Sequence, residues 1–323
     1  MVKAIALFSG GLDSMLAAKL IRNQNIDVMC LAFTTPFFDA RKAQAAAVEI
    51  NLPLIIQDIT ERHLKMLKSP RYGYGKNMNP CIDCHILMLQ IAGDKMIETG
   101  ADFILTGEVL GQRPMSQGKQ SLYVVAKNSG YSDFILRPLS AKLLDETKPE
   151  KEGKVDRSLL LSIQGRGRKE QMQLAIDFGI NKYAPPAGGC LLTDSMFTRR
   201  LRDLFSHQEN HDIRDIDLLR YGRHFRVDDY SKVIVGRNNA DNEKLRELSI
   251  NDDFILTMAD YPGPYVLAPH INEDILPFAA ALCVRYSDAP NDCESNVVCQ
   301  HRNFSRIIKS KAVAKIDCDS WII

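Results

Sequence analysis

Two groups of residues in this chain could do chemistry. The first is Ser9-Gly10-Gly11-Leu12-Asp13-Ser14, set between an apolar stretch at 3–8 and a helical pattern at 14–22. Gly10 and Gly11 allow a tight turn and a close backbone approach to an anion. The helix that follows aims its N-terminal N–H groups and the positive end of its dipole at the same spot. Ser9 and Ser14 add hydroxyl donors. Asp13 repels a phosphate unless a cation bridges them, which implies Mg²⁺. The plainer reading is a glycine turn with an Asp or Ser cap.

The second group is cysteine. Cys81 and Cys84 open a long helical pattern at 81–99, after Pro80 at a position where a missing N–H costs nothing. Their i, i+3 spacing puts both sulfurs on one side of the first turn, where the helix dipole is expected to favour thiolate. Cys190 ends the Pro185-Pro186-Ala187-Gly188-Gly189 run, a stiff loop suited to holding one ligand. Of the 8 cysteines, Cys30 reads as core, and Cys283, Cys293, Cys299 and Cys318 have no comparable setting. Four readings of the trio stay open. It is a buried pair with an unrelated third thiol, a Zn²⁺ site, a redox pair of Cys81 or Cys84 with Cys190, or a [4Fe–4S] cluster on three thiolates with one iron open. Zinc needs a fourth ligand, and the nearest, His85, is rotated about 100° from Cys84 around the helix.

The elements that must position these residues follow from periodicity. Strand patterns at 3–8, 27–33, 53–58 and 103–106 alternate with helical ones at 14–22, 41–50 and 81–99. That order predicts an α/β domain with a doubly wound parallel sheet and helices on both faces. Residues 140–157 are charged and read as a solvated loop or short helix, 164–180 as a helix, and 197–205 as a basic amphipathic helix. The wholly polar run at 206–211 sets the expected boundary, giving domains 1–208 and 209–323. Beyond it, strands at 232–235, 254–258 and 265–267 and helices at 239–249 and 274–286 predict a smaller α+β domain.

With 323 residues, 45% hydrophobic and 25% charged, the chain is expected to form two globular domains rather than a disordered, collagen-like or disulfide-stapled chain. A net charge of +1 excludes a global basic field, so any nucleic-acid binding rests on a local patch. No apolar run reaches the roughly 18–20 residues that span a bilayer. The N-terminus reads as a buried strand, not a signal peptide. A cytoplasmic, reducing location is expected, in which clustered cysteines point to metal, iron–sulfur or redox chemistry.

The SGGLDS loop after an apolar strand resembles the PP-loop ATP pyrophosphatases. No G-x-x-x-x-G-K-[ST] loop is present. The resemblance implies cleavage of ATP to AMP and pyrophosphate while a carbonyl oxygen is adenylated. It implies that Ser9, Gly10, Gly11, Asp13 and Ser14 grip the pyrophosphate, beside Leu7 and Phe8, and that residues 32–34, Phe33 among them, receive adenine. Leu105-Thr106-Gly107-Glu108-Val109-Leu110-Gly111-Gln112, followed by RPMSQ and later by Arg137-Pro138-Leu139, resembles the 4-thiouridine synthetases. This adds Gly107, Glu108 and Gln112 to the ATP side. If the segment is helical, Glu108 and Gln112 lie one turn apart.

The C-x-x-C with a distant third cysteine resembles the cluster-dependent branch of tRNA thiolases. That likeness implies Cys81, Cys84 and Cys190 as ligands and an open iron that binds sulfide. The redox pair resembles the 2-thiouridylases instead. The ferredoxin-like and THUMP regions that precede the PP-loop in 4-thiouridine synthetases, and a rhodanese-like domain after it, are expected to be missing.

Val233-Ile234-Val235-Gly236-Arg237-Asn238-Asn239-Ala240-Asp241-Asn242 resembles the VGRNNxxND segment of the NFACT RNA-binding domain, in a likeness running from about 230 to 311. Phe254 and Thr257 replace that domain's usual Trp and His. Arg237, Asn238, Asn239 and Arg302 are the expected RNA contacts, through donors suited to phosphate and sugar oxygens. Arg220, Arg223, Arg226, Lys232, Arg306, Lys309 and Lys311 supply local positive charge.

The expected function is an ATP-dependent tRNA sulfurtransferase that adenylates a uridine carbonyl oxygen and replaces it with sulfur. It would use ATP, Mg²⁺ and a [4Fe–4S] cluster. Its expected partners are tRNA, a sulfur donor (free sulfide or a persulfide-carrying protein) and a second copy in a homodimer, with no membrane. Rival readings are a PP-loop enzyme amidating or ligating a small molecule, a two-cysteine thiolase without a cluster, and an RNA-binding module with a relic nucleotide fold.

Overall fold

A computed structural model describes every residue except 114, 186–188, 291, 315–317 and 319. Pro114, and Pro186, Ala187 and Gly188 of the loop before Cys190, therefore lie outside the described residues. The chain divides into two compact units, Met1–Thr193 and Asp194–Ile323. The helix Ser195–His207 falls in the second unit, although the polar run after it placed the expected break at 208/209. It buries Phe197, Leu201 and Leu204 there, and its buried Arg200 donates to the carbonyls of Leu219 (2.8 Å) and Gly222 (3.0 Å).

In the first unit the elements are β1 (Lys3–Leu7), α1 (Leu12–Arg22), β2 (Asp27–Thr34), α2 (Arg41–Glu49), β3 (Leu54–Asp58), α3 (Thr60–Lys68), α4 (Cys81–Thr99), β4 (Phe103–Thr106), α5 (Lys119–Ser129), β5 (Ile135–Leu136), α6 (Lys148–Lys151) and α7 (Lys169–Asp177). The sheet is parallel throughout, in the order β3-β2-β1-β4-β5. Alternation along β1 sends Ala4 and Ala6 into one apolar layer, with α1 residues such as Met15 and Leu16. Ile5 enters the other, with Leu89 and Ala92 of α4. Burial on both faces explains why these strands read as nearly continuous apolar runs. The strand order reverses between β1 and β4, and the carboxyl ends flanking such a switch point are where open α/β sheets bind ligands.

Two local expectations differ from the structure. The helix expected over 164–180 is limited to Lys169–Asp177, because Gly165 takes a φ of +81° and its N–H goes to the Leu110 carbonyl at 2.7 Å. The 107–112 segment is not helical. Gly111 turns it with a φ of +75°, so Glu108 and Gln112 face different partners.

The second unit contains α8 (Ser195–His207), α9 (Ile213–Leu218), β6 (Arg223–Arg226), β7 (Lys232–Val235), α10 (Asn239–Leu248), β8 (Phe254–Met258), β9 (Val266–His270), α11 (Leu276–Arg285), β10 (Ser295–His301) and β11 (Phe304–Ser310). Its antiparallel sheet runs β11-β10-β8-β9-β7-β6. The apolar α11 packs on one face, over Val235, Leu256, Val266 and Val297. Leu218 of α9 and Leu245 of α10 pack on Ile234 and Leu267 on the other. Among the described residues no helix is long and apolar enough to cross a membrane.

Candidate active site

The loop after β1 is built around two close backbone approaches. Gly10 has a φ of +73°, and a Cβ there would stand 2.3 Å from the Lys42 carbonyl carbon at the start of α2. Gly11 caps α1 without a side chain, leaving the first-turn N–H groups free of a side-chain cap. Ser14 Oγ donates to the Gly11 carbonyl at 2.8 Å, and Ser9 Oγ accepts from Gly11 N at 3.4 Å. Gly107, at the end of β4, touches the same turn. A Cβ on it would lie 2.5 Å from Ser14 N and 2.7 Å from the Asp13 carbonyl carbon. The two motifs thus interlock backbone to backbone across the switch point.

Gln112 Nε2 donates to Asp13 Oδ2 at 3.2 Å, while Asp13 Oδ1 is buried with no hydrogen-bond partner. Burial raises the Asp13 carboxyl above its ordinary range. Gln112 and the guanidinium charges of Arg168 and Arg113 oppose that rise. Gln171 of α7, fully buried with both amide atoms unpartnered, is also close enough to oppose it. A buried carboxylate oxygen without a donor suits a hard cation, so these residues fit Mg²⁺. Phe8 and Phe33 are buried in the core, so what they and Leu7 offer a nucleotide is backbone at the strand ends.

Glu108 is already fully engaged. Its carboxylate accepts from Arg137 Nε at 2.9 Å and Thr106 Oγ1 at 3.1 Å, and meets His85 Nδ1 at 3.0 Å. Burial alone would raise its pKa. The Arg137 guanidinium and the His85 contact outweigh it and hold the carboxyl at about 2. Glu108 therefore joins the end of β4 to the segment Arg137-Pro138-Leu139 and to α4, the helix that carries the cysteines.

Cys81, Cys84 and Cys190 lie within electrostatic reach of one another. The charge of Cys190 and of Cys81 is felt at Cys84, and that of Cys81 at Cys190. Specific bonds hold the surrounding segments. Asn79 Nδ2 donates to Cys81 Sγ at 3.3 Å, Asn77 Nδ2 to the Thr193 carbonyl at 2.7 Å, and Leu191 N to the Phe37 carbonyl at 2.9 Å. Buried Asp83 takes the backbone N–H groups of Arg71 (3.0 Å) and Tyr72 (2.9 Å) onto the first turn of α4. The expectation that the helix dipole favours thiolate is corrected. Burial, then neighbouring thiols and Asp83, push Cys84 far up, and burial pushes Cys190 to about 11.

His85 is drawn away to Glu108. The imidazole beside the thiols is His63 of α3, wholly buried, with Nε2 3.7 Å from Cys84 Sγ and Nδ1 unpartnered. Sequence spacing gave no signal for His63, which lies in a different helix from the C-x-x-C pair. Among the described residues no three His, Cys, Asp or Glu side chains are drawn together as ligands of one ion.

The expected RNA residues are placed unequally. Asn238 is the N-cap of α10, its side chain accepting from Asp241 N at 2.9 Å. Arg237 is half exposed and grips Asp241 through Nε (2.6 Å) and a second nitrogen (3.2 Å). Asn239 and Arg302 are exposed. Arg226 and Lys232 are internal, paired with buried Asp203 at 2.8 and 3.5 Å.

Residues 1–145 match the family model described as thiamine biosynthesis protein (ThiI), and residues 222–322 the one described as NFACT protein RNA binding domain. The two matches fall in different compact units, the first within Met1–Thr193 and the second within Asp194–Ile323. The tRNA-specific 2-thiouridylase MnmA of Helicobacter hepaticus is 28% identical over 170 residues, covering 46% of this chain and 49% of its own. A probable tRNA sulfurtransferase of a Thermoanaerobacter species is 28% identical over 148 residues, covering 42% of this chain and 36% of its own. A solved 4-thiouridine synthetase–RNA complex with bound ATP aligns over 55% of this chain and 52% of its own, at 20% identity and a TM-score of 0.37. The chain spans half or less of the length of these curated relatives. The ThiI match takes in the SGGLDS loop, Cys81, Cys84, Glu108 and Gln112, and stops short of Cys190.

Proposed function

We propose that this chain is an ATP-dependent tRNA sulfurtransferase. The observation that carries the reading is the tie between the two chemistries in one unit. Glu108, at the mouth of the phosphate loop, is bonded to His85, one residue beyond Cys84. The loop carrying Cys190 passes the same place, since Ala184 bridges to Gly11 and Gly189 lies beside the Lys42 side chain.

ATP enters with its phosphates on the backbone of Gly10 and Gly11 and the first turn of α1, where dipole and free N–H groups meet anionic charge. Asp13 would hold Mg²⁺, which neutralises charge on the departing pyrophosphate. Arg168 and Arg113 add positive charge near Asp13. A uridine carbonyl oxygen attacks the α-phosphorus and pyrophosphate leaves, so that a poor leaving oxygen becomes part of AMP. A sulfide equivalent then bonds to the same carbon and AMP departs. Positioning and charge neutralisation supply most of the acceleration. Cys81, Cys84 and Cys190 would hold a [4Fe–4S] cluster, whose chemistry is to bind the incoming sulfur. The target base must leave its stack to reach the site. The NFACT RNA-binding domain is the proposed tRNA grip, and the sulfur donor is free sulfide or a persulfide-carrying protein.

Nucleoside mass spectrometry of tRNA from a strain lacking this chain tests the reading. One thiouridine disappears and returns with the wild-type gene. An unchanged nucleoside profile contradicts it and favours a small-molecule ligase.

A further inference from the structure

α7 is tied to the phosphate loop and its surroundings on both sides. The chain entering it is held by the segment after β4, where Gln164 bridges to Leu110 and Gly165 N donates to the Leu110 carbonyl at 2.7 Å. The chain leaving it returns to the loop itself, where Ala184 bridges to Gly11. Between these ties α7 packs on α1, with Ala175 in the same apolar layer as Met15 and Leu16. Two side chains at its start, the guanidinium of Arg168 and the amide of Gln171, both act on the Asp13 carboxyl. All of these α7 residues lie beyond 145, where the ThiI match ends.

Three features at the start of α7 are costly in the absence of an anion. Gln171 is wholly buried, and its amide reaches toward Asp13, yet neither its oxygen nor its nitrogen makes a hydrogen bond of ordinary geometry. A buried amide without partners is less stable than an apolar side chain of similar size. Gln171 is the third residue of α7, from which a Gln commonly turns back to cap its own helix, and no side-chain cap is made there. Nε of the half-buried Arg168 is likewise buried without an acceptor. Finally, Arg166, Arg168 and Lys169 crowd the positive end of the α7 dipole, where cations are disfavoured. Among the described residues none of the three is engaged in an ion pair. An unpaired guanidinium, a buried amide and an uncapped helix start are the parts of an oxyanion receptor. Asp13 Oδ1, buried and unpartnered in the same cluster, repels a bare anion, so the anion that fits arrives with a divalent cation.

We propose that the start of α7 is the pyrophosphate subsite, in which Arg168 and Gln171 bind the two terminal phosphates of ATP and hold pyrophosphate with its cation. Arg168 pairs with the phosphate oxygens. The Gln171 nitrogen donates to one of them, while its oxygen faces the cation at Asp13. AMP, which lacks these phosphates, makes no use of the subsite. The inference rests on the ATP-cleaving reading of this unit and assigns the part of ATP that departs to residues of α7.

The test is calorimetric titration of the full chain, in buffer containing Mg²⁺, with AMP, ATP and inorganic pyrophosphate in turn. Gln171→Leu lowers the affinity for ATP and for pyrophosphate about tenfold and leaves that for AMP unchanged. Because leucine needs no partner, the ligand-free variant unfolds at the wild-type temperature or above it. Arg168→Met lowers the same two affinities at least as far, and Arg168→Lys restores part of the loss. Unchanged ATP and pyrophosphate affinities in Gln171→Leu and Arg168→Met overturn the subsite. So does a loss of AMP affinity as large as that of ATP, which assigns these residues to the fold. A wild-type chain that binds AMP as tightly as ATP overturns the subsite alone. One that binds none of the three overturns the ATP-cleaving reading, and the subsite with it.

Discussion

His85 Nδ1 lies 3.0 Å from Glu108 Oε1, and this contact fastens the cysteine helix to the end of the strand that faces the phosphate loop. Because Glu108 also holds Arg137 and Thr106, one buried carboxylate ties the end of β4 beside the phosphate loop to the helix that carries Cys81 and Cys84. Both of its carboxylate oxygens are engaged by protein groups.

Replacing Glu108 by Gln leaves the Arg137 guanidinium buried without its counter-charge. A loss of about 3 kcal/mol is expected at neutral pH in urea unfolding. Glu108 has a folded pKa of about 2, below its ordinary 4.5, so its stabilisation is complete above about pH 4.5 and fades as pH falls toward 2. The difference between wild type and Glu108→Gln therefore shrinks across that window. A difference independent of pH contradicts the role.

Asp13 behaves in the opposite sense. Burial raises its carboxyl, so the ionised form costs stability above its unfolded pKa. Asp13→Asn is expected to melt at the same temperature as wild type or higher, while tRNA-dependent pyrophosphate release falls at least a hundredfold. Normal AMP formation by the folded variant removes Asp13 from the cation site.

Arg237→Ala is expected to weaken tRNA binding, spare ATP binding, and flatten the slope of log affinity against log salt by about one unit. Its pairing with Asp241 adds a fall in thermal stability that Arg237→Lys largely restores. Unchanged tRNA affinity across several salt concentrations assigns Arg237 to the fold alone.

Much of this was legible in the sequence, because strong local rules agreed. Continuous apolar strands, a glycine turn before a helix, and a C-x-x-C opening another helix gave the parallel sheet and the two helix starts that carry Asp13, Cys81 and Cys84. What stayed hidden was tertiary. His63 reaches Cys84 from a different helix, and Glu108 turns toward Arg137 and His85 because 107–112 is a turn, not a helix. Thiol acidity was misjudged because burial outweighs the helix dipole at Cys84. Arg226 and Lys232 looked like surface charge until Asp203 was found between them.

Anaerobically purified protein is expected to contain about four irons and four sulfides per chain, with the visible absorption of a [4Fe–4S] centre. Cys81→Ala, Cys84→Ala and Cys190→Ala each lose most of the iron while keeping ATP affinity. Stoichiometric zinc in its place contradicts the cluster.

The most direct measurement is the product balance of a single reaction. Unmodified tRNA, ATP, Mg²⁺ and sulfide are incubated anaerobically with the iron-loaded chain, and AMP and tRNA thiouridine are quantified together. The account predicts one thiouridine per AMP, and in Cys190→Ala, AMP with little or no thiouridine. AMP without thiouridine from the wild-type chain, or thiouridine formed without ATP, contradicts it.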